Sequence, residues 1–149
     1  MQIDFGKHPG KSSQYVTLKD PSYVRWMFSK ENPNGQLLSL IREAKRHIQD
    51  LDGKPFSGSC SACKSPATRA SVYSNSISLV CWCESCSPYS LGAPDGKLTI
   101  IRTYLQALRH VEFTGGSNKA FQAAIIKELV RVKGGPKTLT QAAMLKFLP

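Results

Sequence analysis

The sequence predicts a small α+β protein in which an N-terminal hairpin with two helices, a zinc ribbon and a C-terminal three-helix segment follow one another. Three observations lead there: five cysteines confined to residues 60–86, apolar residues at helical spacing on both sides of them, and short β-rich runs near the N-terminus and between the cysteine pairs. Composition changes at about the same places, dividing the chain into 1–56, 57–94 and 95–149.

In the first segment, Gly6-Lys7-His8-Pro9-Gly10-Lys11 is a turn between Ile3-Asp4-Phe5 and the strand-like Tyr15-Val16-Thr17-Leu18, so the two flanks read as a hairpin. Asp20-Pro21 fits an N-cap followed by proline at the first helical position, which starts a helix running to about Ser29 with Tyr23, Trp26 and Met27 on one face. The Asn32-Pro33-Asn34-Gly35 cluster ends it. A longer helix over 36–51 follows, with Leu37, Ile41, Ala44, Ile48 and Leu51 facing Tyr23 and Trp26, and Arg42, Lys45, Arg46 and Gln49 outside.

The middle segment is rich in Ser, Pro and Cys and reads as metal-ordered loops, with two short strands joined at Ser74-Asn75-Ser76. The third is helical. Leu98, Ile101, Tyr104, Leu105, Leu108 and Val111 form one apolar stripe, and Gly115-Gly116-Ser117 ends that helix, with Ser117 placed to cap the next. Phe121, Ala124, Ile125, Leu129 and Val132 give the helix over 118–132 its buried face. Gly134-Gly135-Pro136 stops it, and a last helix over 139–148 turns Ala143, Met144, Phe147 and Leu148 inward.

Cys60-Ser61-Ala62-Cys63 has the two-residue spacing that lets both sulfurs face one ion while the turn aims backbone N–H groups at the thiolates. In Cys81-Trp82-Cys83-Glu84-Ser85-Cys86, pairing Cys83 with Cys86 makes a second such knuckle, with 19 residues between it and Cys63, which is four-cysteine ribbon spacing. The expected cofactor is one structural zinc ion on Cys60, Cys63, Cys83 and Cys86. Cys81 is either a small buried hydrophobe or the alternative ligand. Disulfides fit an odd count without an export signal poorly. Four thiolates close the site, leaving Glu84 no catalytic water to serve and solvent as its simplest surroundings. His8, His47 and His110 stand apart, without metal-ligand company.

Twenty Lys and Arg face ten Asp and Glu, for a formal net charge of +10, and residues 96–149 hold nine basic side chains against two acidic. An excess of that size favours an acidic partner, nucleic acid above all. Lys7 and Lys11 on the turn, with Arg102, Arg109, Lys127, Arg131 and Lys133 in the tail, are the expected phosphate contacts. The start carries no basic, apolar leader and no run reaches membrane-spanning length, so a soluble, cytoplasmic protein with no membrane partner is expected.

Phe5-Gly6-Lys7-His8-Pro9-Gly10-Lys11, followed by Asp20-Pro21-Ser22-Tyr23-Val24-Arg25-Trp26, resembles a small bacterial and phage module found at the C-terminus of exodeoxyribonuclease X-like proteins. The likeness covers the first 30 to 50 residues and rests on a Phe-Gly-Lys turn, a second Gly-Lys and a Tyr-x-x-Trp helix. That company implies work on or near DNA, and favours DNA over RNA. The exonuclease catalytic domain itself has no counterpart here. The ten carboxylates are scattered, with Asp50 and Asp52 the one close pair, so neither a magnesium site nor a placed nucleophile is legible. The expected function is therefore a non-enzymatic, zinc-stabilised module that binds nucleic acid or assists a DNA-processing complex. The alternative is an adaptor that docks a protein through the ribbon and helical tail, without nucleic-acid contact.

Overall fold

The computed structural model describes residues 1–115 and 118–149. Among the described residues, six α-helices, α1 (Ser13–Lys19), α2 (Pro21–Phe28), α3 (Gly35–Gly53), α4 (Tyr104–Gly115), α5 (Lys119–Val132) and α6 (Gln141–Phe147), pack mainly on one another and meet a three-stranded sheet through α4. Its strands β1 (Arg69–Tyr73), β2 (Val80–Trp82) and β3 (Leu98–Ile101) are antiparallel in the order β2-β1-β3. The architecture is α+β, with a ribbon-like cysteine cluster at one end of the sheet.

One buried apolar cluster runs through all three compositional segments, from Ile3, Val24 and Met27 through Leu51 and Val72 to Leu108, Leu129 and Leu148. Segments of some 40 to 55 residues expose too much surface for each to bury a sufficient core, and sharing one core relieves that shortage.

The N-terminal chain reversal forms, but its second arm is helical. The Ile3 N–H donates to Lys11 O (2.7 Å), Gly10 N–H donates to Ile3 O (2.7 Å), and Gln2 bridges Ser12. Tyr15-Val16-Thr17-Leu18 then lies in α1 rather than in a strand. Ser12 caps it, accepting from Tyr15 N at 3.1 Å, and Val16, Thr17 and Leu18 are all buried. Three consecutive buried positions need packing on several sides, which tertiary contact supplies in spite of β-branched propensity.

Helix α2 starts at Asp20 as expected, but it is rotated: Val24 and Met27 are fully buried while Trp26 is 44% exposed. Helix α3 buries Ile41, Ala44, Ile48 and Leu51, with Leu40 where the pattern had Leu37, and leaves Arg42, Lys45, Arg46 and Gln49 outside. Leu98 and Ile101 belong to β3, paired with Tyr73 and Ala70, so the helical stripe begins at Tyr104. Leu105 and Phe121 are exposed, and Ala107, Ile126 and Val130 take the inner positions. Ser117 lies outside the described residues, and Asn118 caps α5 by accepting from Phe121 N. His110 is buried within α4, its ring against Thr99 Oγ1 (3.2 Å) and Ser76 O (3.0 Å).

His47 is buried with Nε2 2.8 Å from Ser13 Oγ, while its Nδ1 has no partner. Burial, aided by Arg46, lowers its pKa and keeps the ring neutral. The unfolded chain therefore binds the extra proton more readily, so this contribution to stability is complete above the ordinary histidine pKa of about 6.5 and is lost as pH falls below it. A zinc-saturated His47→Asn variant should show a shallower fall in melting temperature between about pH 7 and pH 5 than the native chain. An unchanged slope would mean another group controls it.

Candidate metal centre and its basic surroundings

Cys60 and Cys63 lie in a tight turn ahead of β1, closed by Cys60 N donating to Ser65 O (2.7 Å) and Lys64 N to Cys60 O (3.0 Å). Cys83 and Cys86 follow directly on β2. Ser61 N donates to Cys81 O (3.0 Å) and Thr68 N to Trp82 O (2.9 Å), so the sheet register brings the knuckles together.

The sulfurs of Cys60, Cys63, Cys83 and Cys86 all lie within 4.8 Å of one another. Cys63 Sγ and Cys83 Sγ are 3.6 Å apart. A tetrahedron with Zn–S bonds of about 2.3 Å has sulfur–sulfur edges of about 3.8 Å, so this set fits one zinc ion. Four sulfurs complete such a tetrahedron, the arrangement of a structural site.

The surroundings favour the thiolate at Cys60 and Cys63. Burial pushes the Cys60 thiol up, but the N–H groups of Cys83, Cys63 and Ala62 outweigh it and bring it down to about 6. The Ser65 hydroxyl and N–H lower Cys63, with help from Cys83 and Cys86. Hydrogen bonds with Cys83, Cys63 and Cys60 hold the last proton on Cys86, pushed up to about 12. A bound divalent cation takes the place of such a proton, so metal uptake releases it.

Cys81 stands apart from the four. It pairs with Ala70 in β2, packs on the main core, and burial raises its thiol. Trp82, next in the strand, packs on Cys60 and Cys83 and donates from Nε1 to Ser71 Oγ at 2.8 Å. Arg69, a residue the cysteine spacing did not single out, donates to Cys86 O (2.8 Å) and Cys83 O (3.3 Å). Its one visible signal was a lone arginine in a charge-poor segment.

The basic residues separate into distinct environments. Lys7 Nζ is bound to Asp20 Oδ2 (2.9 Å), and Lys11 Nζ lies 5.0 Å from the Tyr15 ring centroid, both on the N-terminal turn. Arg102 reaches back to the second knuckle and grips the Glu84 carboxylate. Glu84 is therefore an ion-pair partner rather than a free surface charge, its carboxyl lowered to about 2 by hydrogen bonds from Arg102 and then Thr68. Arg109 is exposed in a shallow depression with Thr99, Gln106 and Phe113. Lys127 and Arg131 share one side of α5, where Arg131 pairs with Glu128 (2.8 Å).

Lys133 is not on the surface. It is 6% exposed, and Nζ donates to Asp52 O (3.1 Å) and Lys54 O (2.7 Å) at the end of α3, over the Phe56 ring. Its place among the phosphate contacts is corrected to that of a clamp on a helix C-terminus, where a cation answers the unpaired carbonyls. No helix among the described residues is long and apolar enough to cross a membrane. Scans of protein-family models, curated proteins and solved structures find no match to this chain, so its reading rests on the metal centre and the surfaces around it.

Proposed function

We propose that the chain is a zinc-stabilised, non-enzymatic module that binds nucleic acid, DNA in preference to RNA, as an accessory in a DNA-processing complex. The observation that carries this reading is a basic groove along α5. Two adjoining depressions, of about 390 and 270 Å³, share Ala124 and Lys127 and draw Lys19, Arg131 and Lys137 to the same side. Glu128 is the acidic side chain lining them, and Arg131 already neutralises it. Across the described residues, acidic partners engage Lys7, Arg25, Arg46, Arg102 and Arg131. Much of the charge excess is thus left to the surface. The likeness of the Phe-Gly-Lys turn to the exonuclease-associated module supports DNA as the polymer.

Such contacts work by releasing counterions. Three or four phosphate contacts to duplex DNA give a log–log salt slope of about −3 to −4, and removing one contact flattens it by about one unit. Anisotropy titrations of labelled DNA across a salt series should show that steepness, with Lys127→Ala flatter and no less stable. Undetectable binding at low salt, or binding indifferent to salt, would sink the reading. If a stoichiometric protein survives nuclease treatment during purification from the native host while nucleic acid does not bind, the adaptor reading replaces it.

A further inference from the structure

The Gly6–Lys11 turn and helix α2 meet in a row of rings that the metal centre does not use. Gly6 and Gly10 have φ of +67° and +82°, the left-handed region that a tight reversal demands and that glycine adopts without strain. A Cβ at Gly6 would lie 3.1 Å from the Tyr23 hydroxyl, so the turn backbone abuts the hydroxyl end of that side chain. His8 then sits edge-on to Tyr23, with centroids 5.2 Å apart, and is tilted against Tyr15 at 5.7 Å. Tyr23 is followed by Trp26 at 5.1 Å, with 33° between the planes.

Asp20 locks the arrangement. One carboxylate oxygen accepts from Tyr23 N and Ser22 Oγ at the start of α2, and the other accepts from Lys7 Nζ (2.9 Å) and His8 Nε2 (2.8 Å). An ionised carboxylate only accepts, so His8 presents its Nε2 proton and the ring orientation is fixed. The Phe-Gly-Lys turn and the Asp-Pro…Tyr-x-x-Trp helix, separated in sequence by α1, are thereby one construction.

Its outer end is open. Trp26 is 44% exposed, whereas Trp82 is 2% exposed. Over Trp26 stands the ammonium of Lys30, 4.6 Å from the ring centroid, and at the other end of the row Lys11 stands over Tyr15. Below, α2 is seated on α1, α3 and α5, and Arg25 pairs with Glu112 of α4, so the platform is held from beneath. A rigidly supported, exposed indole beside flexible lysines combines what unpaired nucleotides need: a π-face for the base and mobile cations for the flanking phosphates. Bases within a duplex already use both faces on their neighbours.

We propose that the Tyr23–Trp26 step, flanked by Lys11 and Lys30, is a stacking site for unpaired bases, which makes this protein a binder of single-stranded nucleic acid. This deepens the nucleic-acid reading and rests on it. The lysine over Trp26 swings aside to a phosphate when a base takes its place, and the α5 groove supplies further backbone contacts.

The test uses the full, zinc-loaded chain with a mixed-sequence single-stranded DNA 12-mer, its RNA counterpart and the duplex. Single strands should quench tryptophan emission, and the duplex should quench far less. Stacking of one base on an aromatic ring predicts that Trp26→Ala weakens single-strand affinity by about tenfold or more. Trp26→Phe should keep most of the affinity while removing the quench, because buried Trp82 does not meet the ligand. Both variants should retain zinc and the native melting temperature, since the side chain is largely outside the core. DNA and RNA single strands bound equally support stacking alone, and a difference between them identifies the polymer. If the native chain binds nucleic acid but Trp26→Ala binds the single strands equally well, the stacking site is overturned and the general reading stands. If no nucleic acid binds at low salt, both fall.

Discussion

Cys83→Ser should lose the zinc ion and much of the ribbon's structure, whereas Cys81→Ser should keep one zinc per chain. The contrast follows from placement. Cys83 Sγ is one of the four sulfurs within 4.8 Å of one another, and Cys81 turns toward the main core from a paired position in β2. Structural zinc contributes on the order of 10 kcal/mol in small metal-ordered units, comparable to the whole stability of an ordinary domain. Around this centre the protein offers little else: a small cluster of Cys60, Trp82 and Cys83, with Cys86 against it. Without the metal, that cluster must hold mutually repelling or protonated sulfurs at close range. A drop in melting temperature of roughly 10 °C or more is expected for Cys83→Ser, and a similar drop for the native chain in strong chelator. Metal quantification beside thermal melts checks both. Zinc lost in Cys81→Ser but kept in Cys83→Ser would reverse the ligand assignment.

The second large effect is expected at Lys133. Lys133→Ala should destabilise the chain by about 2–4 kcal/mol, because it opens space beside Phe56 and strips the Asp52 and Lys54 carbonyls of their donor. Burial lowers the ammonium's pKa, with nearby Asp52 acting in the opposite sense. Lys133→Met, which keeps the stem but not the charge, should recover the packing part alone. Chemical denaturation monitored by circular dichroism measures the loss, and DNA affinity per folded molecule should be unchanged. Normal stability with lost DNA affinity would return Lys133 to the binding surface.

The zinc ligands were readable because cysteine at two-residue spacing has few physical uses in such a cluster, and the chemistry of the ion does not depend on distant contacts. Cys81 was separable only by which core it packs on, although the 83/86 knuckle pointed the right way. Helix boundaries were equally legible where the signal was local: Asp20-Pro21 starts α2, and the Asn32-Pro33-Asn34-Gly35 cluster separates it from α3. Misreadings arose where burial on several sides overrides periodicity. Tyr15–Leu18 alternates and branches like a strand yet is wrapped by other helices, and Leu98–Ile101 carries apolar spacing that suits a helix but completes the sheet beside β1. Among the charges, sequence could count the lysines but could not tell Lys127 from Lys133.

What the sequence by itself determined is therefore the metal chemistry, the α+β class and the sign and size of the charge, all carried by residue type and short spacing. Tertiary structure alone decided which cations face solvent, which are spent on Glu84, Glu128 or helix ends, and that Trp26 lies outside while Val24 and Met27 lie in. Those outcomes depend on how each helix is rotated against a core shared by all three segments. Rotation is set by the summed packing of residues from Ile3 to Leu148, which no local window contains.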